Sequence, residues 1–145
     1  MFGERPIFGR TENVLSDKNR ITLPAWTGAE KDDSLLIVGS DDNSFLKIYK
    51  KDIILKTIDK YKYMLDNFET ENFDLVEAKY QLLLLSILGS QNVDGQRRIQ
   101  LTKKLVERFT FNSSVYLIGC NEYLGVFKNQ ADVSKYKAKL LSKIK

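Results

Sequence analysis

The chain contains a copy of part of itself. Asn13 to Pro24 realigns on Gln91 to Thr102, with Arg20 falling on Arg98, Ile21 on Ile99, Leu23 on Leu101 and Leu15 on Val93. Further on, Ser34 to Gly39 parallels Ser114 to Gly119, and Phe45 to Tyr49 parallels Tyr123 to Phe127, after a small insertion and a compensating deletion. Apolar residues alternate with polar ones in both copies, which is the period of half-buried strands. Each copy reads as a short strand, a tight loop, a strand starting at Arg20 or Arg98, a brief helical or irregular link, and a second strand pair.

The tight loop carries the chemistry. With Ser16 and Arg20 ending the flanking strands, Asp17-Lys18-Asn19 forms a three-residue tip; in the second copy Asp94 and Arg98 face each other across Gly95-Gln96-Arg97. An aspartate opposite an arginine pins such a loop by a charge-assisted bond, which makes Asp94 the structural partner of Arg98. The third tip position favours a left-handed residue. Asn19 tolerates that conformation and arginine does not, so the second loop is expected to turn on Gly95 in a shifted register.

Between the copies the periodicity changes. Ile54, Ile58, Tyr61, Leu65 and Phe68 recur at helical spacing, and Phe73, Val76, Tyr80, Leu83 and Ile87 repeat the pattern, with Gly89 as the expected stop. At the end of the chain Val133, Tyr136, Leu140 and Ile144 share one helical face, with Lys135, Lys139, Lys143 and Lys145 beside or opposite them. The expected organisation of residues 1–145 is a single fused domain. It comprises a first half at 7–50, a helical hairpin at 51–89, a second half at 90–130 and a C-terminal helix at 131–145.

Composition narrows the functional classes. The 145 residues include no histidine, which removes the commonest general base, the commonest metal ligand and every Ser-His or Cys-His nucleophile pair. Asp32-Asp33 and Asp41-Asp42 are the available acid pairs, but adjacent carboxylates on a strand point to opposite faces and make poor metal partners. No phosphate-loop, dinucleotide, nucleophile-elbow or C-x-x-C motif occurs. The expectation is a non-enzyme with no catalytic residue, no metal and no cofactor. A net charge of +4 suits an anionic partner without requiring one. A single Cys120, no secretion-type N-terminus and no bilayer-length apolar run point to a cytoplasmic, membrane-free protein, with Cys120 an inert core residue.

Taken together, these residues resemble the MraZ family, tandem members of the AbrB-like swapped-hairpin transcription regulators. That family carries a D-x-x-x-R loop in each half. The second half here keeps it as D-G-Q-R-R, Asp94 to Arg98; the first reads S-D-K-N-R, Ser16 to Arg20, without the leading acid. Phe8-Gly9 before the first loop is also similar, as is Leu117-Ile118-Gly119 followed by the strand Tyr123 to Phe127, and the likeness covers nearly the whole chain. The resemblance implies an α+β fold in which two AbrB-like halves interlace into a small swapped-hairpin β-barrel, with the central helical hairpin and C-terminal helix packed on it. It implies a homo-oligomeric ring presenting basic loops to short direct repeats in double-stranded promoter DNA of a division and cell-wall gene cluster, and hence a nucleoid location. Carried over residue by residue, Arg20 and Lys18 of the first loop and Arg98 of the second face DNA.

Physical chemistry adds detail to that implication. A tip bearing Lys18 and Arg20, with Arg10 nearby in sequence, is a compact cationic projection of groove-fitting size, and Arg97 adds a cation to the second tip. Arginine reads guanine bidentately while lysine neutralises phosphate, so Arg20 is assigned specificity and Lys18 affinity. Plainer roles stand beside these: Arg20 pairing with a neighbouring carboxylate, the second loop serving structure alone, and the C-terminal lysines forming a solvated face. The alternative function is a divergent regulator that has lost DNA binding and acts as a protein-interaction module.

Overall fold

The structure, a computed structural model, describes residues 2–144. Eight strands form in chain order: β1 (Arg10–Val14), β2 (Arg20–Thr22), β3 (Ser34–Gly39), β4 (Leu46–Lys50), β5 (Ile87–Asn92), β6 (Arg98–Gln100), β7 (Ser114–Gly119) and β8 (Tyr123–Phe127). Four α-helices join them: α1 (Lys51–Asp66), α2 (Phe73–Ser86), α3 (Lys103–Arg108) and α4 (Gln130–Ser142). The fold is therefore α+β, with a six-stranded antiparallel sheet in the order β1-β7-β8-β4-β3-β5 and a separate two-stranded ladder, β2-β6. No helix among the described residues is long and apolar enough to cross a membrane.

The two copies pair crosswise. β1 of the first copy lies against β7 of the second, β5 of the second against β3 of the first, and β4 against β8 at the centre. Exchanging each strand for its repeat counterpart turns the sheet order into its own reverse. The registers agree with this, since Ile21 faces its counterpart Ile99 in the small ladder and Lys47 faces its counterpart Gly125 in the large sheet. An approximate two-fold axis runs between the members of each pair.

The main core lies under both ladders. Ile21, Leu23, Leu35, Ile37, Leu46, Ile48, Ile99, Leu101, Leu117 and Leu124 are all buried in it. The continuous apolar run Leu35 to Val38 follows from burial on two sides: Leu35 and Ile37 enter this core, while Leu36 and Val38 pack with Ile54 of α1 and the half-buried Leu83 of α2. Gly119 closes β7 where a Cβ would stand 2.6 Å from the Phe8 Cα, so the backbones touch there. Gly119→Ala is expected to destabilise the fold by about 1–3 kcal/mol, read as a lower denaturant midpoint at unchanged slope.

Helix ends depart from the sequence expectations in two places. Phe68 does not extend the apolar face of α1. It stands beyond the helix at φ 52°, 77% exposed, and its N–H and that of Glu69 satisfy the carbonyls of Leu65 and Met64. This is a left-handed helix stop with phenylalanine where glycine is usual, and its ring stacks on Phe73 at 5.5 Å. Gly89 is not the stop of α2 either. The helix ends at Ser86 because Ile87 turns to extended backbone and pairs with Val38, and Gly89 sits inside β5 opposite Ile37. Sheet pairing overrides helical periodicity there.

α4 starts with Asn129 accepting a bond from the Asp132 N–H at 2.9 Å. Its Tyr136 packs on Phe127 of β8 and Val133 is half-buried, but Leu140 and Ile144 of the expected face are exposed, and Lys145 lies outside the described residues. Cys120 is half-buried in the β7–β8 turn rather than in the core, and burial raises its thiol pKa. Tyr136 shares a hydrogen bond of 3.1 Å with Tyr123, and Tyr49 packs on Tyr123 at 5.2 Å. Burial is the main cause that pushes the Tyr49 hydroxyl up to about 12, and burial with the Tyr136 bond pushes Tyr123 higher still. Both favour the neutral folded form, so their contribution is complete below the ordinary tyrosine pKa of about 10 and declines as pH rises towards the folded values. In an alkaline absorbance titration, Tyr49 and Tyr123 are expected to remain un-ionised at pH 11 for as long as the protein stays folded.

Candidate nucleic-acid interface

The two arginine loops share one hairpin geometry. In the first, the Asn19 N–H donates to the Ser16 carbonyl at 2.9 Å and the Ser16 N–H to the Arg20 carbonyl at 3.1 Å. In the second, Arg97 N–H to Asp94 carbonyl and Asp94 N–H to Arg98 carbonyl, both 3.0 Å, repeat the pattern. The third tip residue is left-handed in each, Asn19 at φ 59° and Arg97 at φ 57°. The expected turn on Gly95 in a shifted register is thus corrected: Arg97 itself takes the strained conformation. The reason is the Asp94 carboxylate, whose Oδ1 accepts from the Gln96 and Arg98 N–H groups at 2.8 Å each while Oδ2 accepts from Arg98 Nε at 2.9 Å. Three bonds fix the register and offset a left-handed cost of about 1–2 kcal/mol. These bonds, that of the Arg98 N–H first, hold the Asp94 carboxyl below the usual carboxylate range.

Ser16 does half of this work. Its Oγ accepts from the Arg20 N–H at 3.0 Å, as Asp94 Oδ1 does for Arg98, but it has no second oxygen for the guanidinium. Arg20 makes no ion pair among the described residues, whereas Arg98 is clamped to Asp94.

The β2–β6 ladder then places the loops side by side. Leu23 donates to the Arg97 carbonyl at 2.7 Å, Leu101 to the Asn19 carbonyl at 2.8 Å, and Gln100 Nε2 to the Lys18 carbonyl at 2.9 Å. Strand alternation sends Ile21 and Ile99 into the core, leaving Arg20, Thr22, Arg98 and Gln100 on the outer face. Arg20 stands opposite Gln100, so Arg20 and Arg98 are diagonal neighbours about 7–8 Å apart at the backbone. Lys18 and Arg97 are exposed at the two tips. The result is a two-stranded ribbon with two half-buried arginines beside exposed Thr22 and Gln100 on its outer face, a shape that a DNA major groove admits.

Arg10 does not join this cluster. It opens β1, six residues before Ser16, so about 20 Å of extended chain separates it from the loop, and its guanidinium lies 5.5 Å from the centre of the Tyr116 ring. Proximity in sequence was misleading because the intervening residues are a strand. Conversely, Thr22 and Gln100 belong to the outer face and escaped the sequence reading. The signal for them was the alternation itself, counted outward from buried Ile21 and Ile99. Comparison with known proteins finds no matching family model and no match among curated proteins.

Proposed function

We propose that the chain is a DNA-binding transcriptional regulator of the MraZ type, two AbrB-like halves interlaced as a swapped-hairpin barrel. In this reading, copies assemble into a ring and grip short direct repeats in promoter DNA of a division and cell-wall gene cluster. The observation that carries it is the pair of duplicated arginine loops on one two-stranded ribbon, with half-buried Arg20 and Arg98 on the face opposite the buried Ile21 and Ile99. The crosswise pairing of β1 with β7 and of β5 with β3 supports the interlaced halves. Leu75, Leu82 and Leu85, exposed along one stripe of α2, support association between copies. Several weak ribbons on one ring gain affinity through effective concentration.

The test is a mobility-shift titration with the DNA upstream of the chain's own gene at low and moderate salt. Retarded complexes that weaken steeply with salt are expected, and Lys18→Ala should weaken all duplexes alike while reducing the salt slope by about one. The second reading, a regulator that acts only through protein contacts, is favoured by the same α2 stripe. Absence of retardation at low salt, with a stable homo-oligomer, would select it over the first.

A further inference from the structure

A cleft of about 420 Å³ lies away from the ribbon, between the β3–β4 turn, the end of α3 and the first turns of α4. Its charged lining is Asp42, Arg108, Lys128, Asp132, Lys135 and Lys139. Two of the cations are matched: Lys139 Nζ lies 2.5 Å from Asp42 Oδ2, and Lys135 Nζ 3.9 Å from Asp132 Oδ1. Arg108 and Lys128 make no ion pair among the described residues; Arg108 Nη2 makes a long bond of 3.3 Å to Asn43 Oδ1, and its guanidinium lies 5.8 Å from the centre of the Phe109 ring. The concavity therefore holds an uncompensated positive charge, and concave walls focus the field of such charges.

Its walls are also organised. Phe109, buried, and Tyr136, whose ring packs on Phe45 and Phe127 at 4.8 and 5.7 Å, give the cleft an aromatic side. The volume falls within the range of about 300–1,000 Å³ typical of small-ligand sites. The duplication supplies an internal comparison. Extending the alignment of the copies sets Arg108 on Glu30, Lys135 on Thr57 and Lys139 on Tyr61, with only Lys128 retained as Lys50. Of the two cations without an ion pair, Arg108 therefore belongs to the second copy alone.

We propose that this cleft binds a small organic phosphate, its phosphoryl group taken by Arg108 and Lys128 and its organic body resting on the Tyr136 side. The planar guanidinium matches the oxygens of a phosphoryl group bidentately, and lysine adds a mobile point charge. A duplex backbone is the less suitable anion, since it presents a convex rail rather than a body that fills a pocket. The inference stands on the cleft and is independent of the DNA reading.

The experiment is calorimetric titration of the full chain with adenosine monophosphate, inorganic pyrophosphate and adenosine, repeated on Arg108→Ala/Lys128→Ala. Arg108 is exposed and Lys128 half-exposed, so the variant should fold, which circular dichroism checks. Binding of adenosine monophosphate but not adenosine, weakened about tenfold or more in the variant, is the expected result, and binding of pyrophosphate without adenosine monophosphate would overturn the organic ligand. No binding of either phosphate, or equal binding to both proteins, would overturn the proposal. So would a variant that loses duplex affinity while both phosphates remain indifferent to it, which would make the cluster a DNA-backbone contact.

Discussion

On the proposed reading, Arg20→Ala combined with Arg98→Ala is expected to remove sequence-specific retention of promoter DNA while leaving the core intact. Both side chains stand on the outer face of the β2–β6 ribbon, and neither contributes to the core beneath it. A bidentate arginine–guanine contact carries roughly 1–3 kcal/mol of discrimination, so losing two per chain lowers specific affinity by at least tenfold, and by more in an assembly engaging several ribbons. Fluorescence anisotropy with the native and a scrambled duplex separates the effects, because specific binding should fall towards the non-specific level. The single variants should differ. Arg98 is pre-ordered by Asp94 whereas Arg20 is held only through its backbone by Ser16. Ser16→Asp should therefore give Arg20 the missing clamp and sharpen its contribution. Equal specificity in the double variant and the native chain would reject the ribbon as the reader.

The second large effect concerns the ladder's underside. Ile21 and Ile99 face each other across the two-fold axis and are 0% and 2% exposed. Truncating either to alanine is expected to cost about 2–5 kcal/mol, a large share of a typical domain stability of about 5–15 kcal/mol. Because the pair is in contact, the double variant should depart from additivity by about 0.5–3 kcal/mol. Chemical denaturation of the four proteins measures this directly. Losses within about 0.5 kcal/mol would mark the ladder as a surface appendage rather than part of the core.

The sequence made some of this legible and concealed the rest for physical reasons. The duplication showed the two loops because Arg20 and Arg98 keep their apolar neighbours, and periodicity showed the α1 face from Ile54 to Leu65 but only the Val133 and Tyr136 part of α4, whose Leu140 and Ile144 are exposed. Periodicity says nothing about which strands pair across long separations, so the β1–β7 and β3–β5 pairings were not legible in the sequence. The end of α2 was misread at Gly89 because β3 recruits Ile87 into the sheet. The second loop was misread at Arg97 because three bonds to one carboxylate outweigh a backbone preference. Arg10 was placed beside the tip by its number, and a strand carried it away.

The crosswise pairing also sets the order of events during synthesis. β1 finds its partner only in β7, so the first copy leaves the ribosome with one edge unmet until residues near Gly119 have emerged. Nor does β3 gain its second neighbour before β5 is translated. Domains assembled from nearby segments can close as they appear, but this one must hold the first copy open, with exposed strand edges, until the second copy has been translated.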